Sequence, residues 1–288
     1  MEIMDYDTTD LNVVFFRHKF SGTRPEEDVR KLWDQRKVGL HWAEKYSTHP
    51  SDYDNSTAQN EIGRLNDYGE SGAIVASYYG NDYDIHSDEM LIGVVPPGSE
   101  PVGEDVGETM LKTLSMDTET TRVISFKNYP VLSAVRPRGH SLCRWRAAED
   151  QVRAIIAEGQ LSAEVGSLSS EQLEVACNEY LRVKFDGYFP TLPVGRTLRD
   201  VDIVGGTANE RVLAQVTQES DRDKLDGKIQ KLQNYADENA RLVLFAPAKH
   251  ELESTSGIDH ITVEEVFNTL YSDESHGRKM LDRMLNPA

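Results

Sequence analysis

The sequence predicts an α+β protein of two domains, a small β-barrel in the N-terminal half and a mixed sheet flanked by helices in the C-terminal half. Three observations predict it. The 288-residue chain is long enough to build two cores. Up to about residue 137, short apolar segments recur between Gly, Pro, Asn and Asp, with few helical stretches among them. From residue 169 onward the pattern alternates as helix, hairpin, helix, strand, helix. Between the halves, "RAAEDQVRAIIAEGQLSAEVGSLSS" is first Ala/Glu-rich and then Ser/Gly-rich, which sets domains at 1–147 and 169–288 and a helical linker at 148–168.

In the first half, "LNVVFFRHKF" (11–20) is β-branched and aromatic and reads as a strand. Thr23 and Pro25 then open an acidic-started helix in "SGTRPEEDVRKLWDQ". "KVGLHWAE" (37–44) is a strand, and "TAQNEIGRLNDYG" (57–69) is a helix with Gly69 at its stop. "SGAIVASYYG" (71–80), "EMLIGVVPPG" (89–98) and "TRVISFKNYPVLSAVRP" (121–137) complete a β-rich series whose many strands and few helices suggest the barrel.

In the second half, "SSEQLEVACNEYLRVKF" (169–185) carries Leu173, Ala176, Cys177, Tyr180 and Leu181 on one helical face, with Ser170 as the expected N-cap. "DVDIVG" and "RVLAQVTQ" are short apolar strands, and Gly205–Gly206 between them reads as a turn. The helix "DKLDGKIQKLQNYADEN", the strand "ARLVLFAP" and the helix "TVEEVFNTLYS" follow.

The formal charge is −18, and its acids are spread along the chain. Such diffuse acidity describes a solvated surface rather than a ligand site. With Arg outnumbering Lys, the composition resembles that of proteins from salt-accumulating halophilic archaea. It disfavours non-specific nucleic-acid binding at ordinary ionic strength, yet in molar salt the Debye length falls to about 3 Å and local contacts decide. Cys143 and Cys177 form no CxxC or Cys/His motif, so a zinc site or disulfide framework is not expected and a reduced, cytoplasmic setting is. No apolar run is long enough for a membrane span, and the acidic start is unlike a signal peptide.

Metal-dependent phosphodiester hydrolysis needs rigid oxygen ligands, a polarised water and a cation near the developing charge. Two adjacent strands supply these when one carries Asp and the other carries an acid or amide followed two positions later by Lys. Asp202 in "DVDIVGG", Gln215 in "VLAQVT" and Glu174 in the preceding helix stand in this arrangement. In these residues the chain, over about 169–270, resembles the PD-(D/E)XK restriction-endonuclease superfamily, especially its Mrr-like branch. The resemblance implies Mg²⁺ or Mn²⁺ held by Asp202 and Gln215, with catalysis by Asp202, Gln215, Glu174 and a lysine. Thr217 stands where that pattern has Lys. A lysine on the next helix, Lys228 or Lys231, could reach back, and Lys228 is expected because it lies nearer the strand end. Arg196 and Arg199, before the first strand, would hold phosphates or neutralise Asp200 and Asp202. In the plain structural reading, Asp202 caps a strand and Gln215 satisfies a sheet edge.

In the first half, "KLWDQRKVGLHWAE", "GAIVASYYG", "MLIGVVPPG" and "YPVLSAVRP" resemble PUA/EVE-like barrels, which implies a reader of modified bases or RNA. Base reading needs aromatic faces, for which Trp42, Tyr78 and Tyr79 are candidates, while Trp33 reads as core. "RPRGHSLCRWR" (136–146) is a dense basic run, in which Arg136, Arg138, Arg144 and Arg146 flank Trp145 and would contact a nucleic-acid backbone.

Together these expectations describe a type IV-like restriction or defence endonuclease that cuts DNA after recognising a modified base. A homodimer would follow if both strands are cut. The alternative is a nucleic-acid-binding or regulatory protein without catalysis, with Thr217 marking the loss.

Overall fold

The computed structural model describes residues 7–18, 25–80, 85–139, 141–157, 163–195, 198–219, 221–250, 257–272 and 276–285. The chain forms two compact units, residues 1–161 with Ala288, and 162–287.

The first unit contains β1 (Asn12–Arg17), α1 (Pro25–Asp34), β2 (Lys37–Leu40), α2 (Ser56–Ser71), β3 (Ala73–Tyr78), β4 (Glu89–Val95), β5 (Val102–Val106), β6 (Thr109–Ser115), β7 (Arg122–Ser125), α3 (Pro130–Ala134), β8 (Leu142–Arg144) and α4 (Glu149–Ile156). A five-stranded sheet has the order β7-β4-β3-β1-β8, with β1 and β3 parallel and its other pairs antiparallel. A separate antiparallel sheet has the order β2-β6-β5. Both sheets are open. The expected barrel is therefore incorrect, and with it the PUA/EVE-like assignment.

The physical reason lies in how the strands are buried. Val14, Phe16, Val75, Leu91 and Val95 pack on one face with Val38 and Leu40 of β2, Leu111 and Leu114 of β6, and Val29 and Leu32 of α1. Val13, Phe15, Ile74, Ala76, Met90, Ile92 and Val94 pack on the other with Leu132 of α3, with Trp145, which follows β8, and with Val152 of α4. A strand covered on both faces carries a continuous apolar run, which is what "NVVFF", "AIVASY" and "MLIGVV" are. The β-rich reading of 121–137 also changes, because Pro130 starts the short helix α3 there. Helix α2 passes the expected stop at Gly69 and ends at Gly72.

The second unit contains α5 (Ser170–Lys184), β9 (Phe189–Pro190), β10 (Ile203–Gly206), β11 (Arg211–Val216), α6 (Arg222–Gln233), β12 (Ala240–Ala246), β13 (Ile258–Thr262), α7 (Val263–Ser272) and α8 (Gly277–Leu285). Its sheet has the order β13-β12-β11-β10-β9. The β10–β11 pair is antiparallel, and β11, β12 and β13 are parallel. Leu225, Ile229 and Leu232 of α6 pack on Leu213, Leu242 and Leu244. On the opposite face, Tyr180 of α5 meets Phe245 of β12 edge-on at 6.1 Å.

Two local details differ from the sequence reading. Ser169, not Ser170, caps α5, in a reciprocal capping box with Gln172. Gly205 and Gly206 lie inside β10, and the turn is made at 207–210, where Thr207 N–H donates to the Glu210 carbonyl. Gly205 is required for a different reason than turning, since a Cβ there would sit 2.4 Å from the Tyr188 ring.

Candidate functional site

The hairpin register brings the site together. Ile203 pairs with Ala214, so the preceding Asp202 stands opposite Gln215, and the Asp202 N–H donates to the Ala214 carbonyl. Side chains alternate along a strand. Gln215 and Thr217 therefore share the Leu213 face, on which α6 lies.

Asp202 Oδ2 accepts the Val216 N–H at 2.8 Å and a second hydrogen bond from Gln215 Nε2. The same amide nitrogen donates to the Val216 carbonyl at 3.2 Å. The amide NH₂ thus occupies the space between two oxygen acceptors. A hard cation would occupy that space in a metal site, and its donors would be the Asp202 carboxylate, the Val216 carbonyl and, with the amide turned over, Gln215 Oε1. These oxygens suit Mg²⁺ or Mn²⁺ in type, but only one of the three donors is charged. Among the described residues, no group of three His, Cys, Asp or Glu side chains gathers to hold a metal.

Lys228, nearly two turns inside α6, supplies the cation. Its Nζ donates to Thr217 Oγ1 at 2.7 Å, and Thr217 Oγ1 also accepts the Glu219 N–H at 3.0 Å. Burial lowers the Lys228 ammonium below the usual lysine value, while the carboxylates of Asp202, Glu219 and Glu174 oppose that shift. Lys231 turns elsewhere, to Asp200 at 3.6 Å. Glu174 belongs to the same neighbourhood. Burial raises the Cys177 thiol well above its ordinary value, and the negative charges of Glu174 and Asp202 add to this. The Glu174 carboxylate lies over Gly195, whose N–H donates to the Asp202 carbonyl at 2.8 Å.

The remaining expected residues are dispersed. Arg199 is exposed, and Arg196 lies outside the described residues. Tyr79 is fully buried, with His18 stacked on it at 4.2 Å, Trp33 against it at 5.3 Å, and its hydroxyl on the Lys37 carbonyl. Tyr78 is 5% exposed and is covered by the Arg136 guanidinium at 3.8 Å. Neither tyrosine therefore offers an open face to a base, because core packing has taken both rings. Trp42 is half-buried and donates from Nε1 to Glu61 at 2.9 Å. Trp145 is core, edge-on to Phe15 at 5.2 Å. Arg144 pairs with Glu149 at 3.4 Å, and Arg138 is exposed.

Two members of the site were not singled out from sequence as participants. Cys177 was read only as a core residue, and Gly195 gives no signal without the positions of Glu174 and Asp202.

No family model and no curated protein matches this chain. Neither the PD-(D/E)XK nor the PUA/EVE-like resemblance has support at the family level, and the restriction-endonuclease assignment falls with the barrel. Among the described residues, no helix is long and apolar enough to cross a membrane.

Proposed function

We propose that the protein is a nucleic-acid-binding or regulatory protein that does not hydrolyse its ligand. The observation that carries this reading is the Gln215 amide, whose Nε2 bridges Asp202 Oδ2 and the Val216 carbonyl. The carboxylate that would anchor a metal is engaged by two protein N–H donors, and the neighbouring strand contributes a neutral side chain. Weak metal affinity follows from that charge count. The nucleic-acid part of the reading rests on the arginines of the 136–146 run, three of which, Arg138, Arg144 and Arg146, are exposed in an otherwise acidic chain.

A second reading, metal-dependent cleavage of DNA, is favoured by Lys228. Its ammonium stands beside Thr217 and feels the charge of Asp202 and Glu174, where transition-state charge would need a cation. Here Asp202 and Gln215 would hold Mg²⁺ or Mn²⁺, which would polarise the attacking water.

A titration separates the two readings. Binding and cleavage of modified and unmodified DNA are followed with increasing Mg²⁺ or Mn²⁺, at several salt concentrations, for wild type and Asp202→Ala. The main reading expects DNA binding in both proteins and cleavage in neither. Cleavage by wild type that Asp202→Ala abolishes would establish the second, and absence of DNA binding would remove the first.

A further inference from the structure

We propose that a cleft at the carboxyl-terminal end of α5 binds an uncharged planar ring that both donates and accepts hydrogen bonds, a nucleobase above all, with Arg241 as its platform and Asp186 and Asn209 reading its edge. The register of the second unit's sheet builds the platform. Side chains alternate along β12, so Arg241, Val243 and Phe245 leave the face on which Phe245 meets Tyr180 of α5. Phe185, the residue after α5, lies against the Arg241 guanidinium at 4.2 Å. Asp259, the register partner of Val243, leaves the same face and accepts from Arg241 Nε at 2.6 Å, and Glu210 stands 3.5 Å from a terminal nitrogen of the same group. A guanidinium stacked on a ring and held at two edges is a fixed plane, and the side chain is still 40% exposed. Nucleobases stack on such planes as they do on aromatic rings.

This plane lines a cleft of about 470 Å³, a size usual for small-molecule sites, bounded by the end of α5, the 207–210 turn and the start of β12. Lys184, Asp186 and Asn209 line it too. All three are exposed, and among the described residues their side chains make no hydrogen bond or ion pair, so their polar atoms are open to a ligand. The lining holds two bases, Lys184 and Arg241, and two acids, Asp186 and Glu210, in a chain whose net charge is −18. A phosphate would meet the acids and a metal ion would meet the bases, so this balance selects an uncharged ligand. The Asp186 carboxylate accepts, Lys184 donates and the Asn209 amide does both, which matches the mixed edge of a base rather than an apolar ring.

Such a ring reaches the cleft either as an unpaired base of a nucleic acid or as a free nucleoside, so the site does not rest on the nucleic-acid reading above. Full-length protein is titrated with the four common ribonucleosides by calorimetry, and with short labelled single-stranded DNA and RNA of mixed sequence by fluorescence anisotropy. Nucleosides carry no phosphate, which removes the arginines of the 136–146 run from that arm. Wild type is compared with the Asp186→Ala/Asn209→Ala double variant, with Arg241→Lys, and with Glu171→Gln at the opposite end of α5 as a control. Unchanged melting temperatures identify the variants that keep the fold. Arg241→Lys keeps the charge and loses the plane, and the double variant, whose two residues are exposed, tests the cleft if Arg241→Lys unfolds. Each cleft variant should bind the preferred ligand about tenfold or more weakly, and Glu171→Gln should bind it as wild type does. Loss of nucleoside binding supports a free ligand, loss of strand binding supports an unpaired base, and either supports the site. Strand binding that the folded cleft variants retain, in a protein that ignores nucleosides, overturns the site and leaves the nucleic-acid reading standing. Binding of no nucleoside and no strand by wild type, or equal nucleoside binding by wild type and the double variant, also overturns the site.

Discussion

Lys228 Nζ donates a hydrogen bond to Thr217 Oγ1 at 2.7 Å, joining α6 to the residue that follows β11. The contact places a cation beside a strand position that has none of its own. It also explains why a threonine can be buried there, since Thr217 is only 5% exposed. Replacing Lys228 with methionine should retain the stem's packing and remove the charged donor. Thermal unfolding should report a loss of about 1–2 kcal/mol. An unchanged melting temperature would show that the contact contributes nothing in solution.

Gln215→Glu places a second carboxylate against Asp202 in the space the amide NH₂ now bridges. Repulsion between the two acids should destabilise the chelator-treated protein by about 1–3 kcal/mol and raise the proton affinity of the pair. Mg²⁺ or Mn²⁺ should recover that loss, so the melting temperature of the variant should rise with cation far more than that of wild type. A variant that is as stable as wild type with chelator present would argue against the close approach of residues 202 and 215.

Gly195 has φ +86°, and a Cβ there would stand 2.6 Å from Glu174 Oε2. Gly195→Ala therefore combines left-handed backbone strain with a displaced carboxylate. Urea unfolding should show a cost of about 1–3 kcal/mol. A neutral substitution would mean that Glu174 does not rest over this loop.

How much of this was legible follows from the kind of information each feature needs. Asp202 and Gln215 were brought together by the motif of the resemblance and not by register: a turn at Gly205–Gly206 would set Asp202 opposite Asn209, whereas the turn at 207–210 sets it opposite Gln215. Lys228 was legible because it lies on the first turns of the helix after the strand. The barrel was misread because apolar runs identify strands but not their partners. Whether β7 and β8 meet is decided by long-range pairing, and they lie at opposite edges of the sheet. Strand β5 escaped notice because "VGEDV" carries two acids and fully buries only Val106, and β6 because "TMLKTLS" mixes Thr, Lys and Ser with its apolar residues although residues 111–114 are buried. Tyr78 and Tyr79 looked like exposed readers because a sequence shows an aromatic residue but not what lies against its faces.

The first unit should be acid-sensitive through His18. Burial depresses its pKa to about 4, from an ordinary value of 6.5. Gly39 N–H donates to Nε2 at 3.1 Å, so the neutral ring carries its proton on Nδ1, facing the Tyr78 carbonyl. A second proton on Nε2 would oppose the Gly39 N–H. Because the unfolded chain takes up this proton first, stability is complete above about pH 6.5 and falls as the pH is lowered toward 4. The total loss from this group is about 3 kcal/mol. His18→Gln should start less stable at neutral pH and show a flatter decline over that range, as measured by chemical denaturation at a series of pH values. Equal slopes for both proteins would remove His18 as the cause.

The central claim is that the Asp202–Gln215–Lys228 cluster does not cut nucleic acid. The most direct test is incubation of end-labelled duplex DNA with wild type and Asp202→Ala in Mn²⁺ and in Mg²⁺, resolved for cleavage products. The account predicts retained DNA binding and no metal-dependent product from either protein. Product formed by wild type and lost in Asp202→Ala would contradict it.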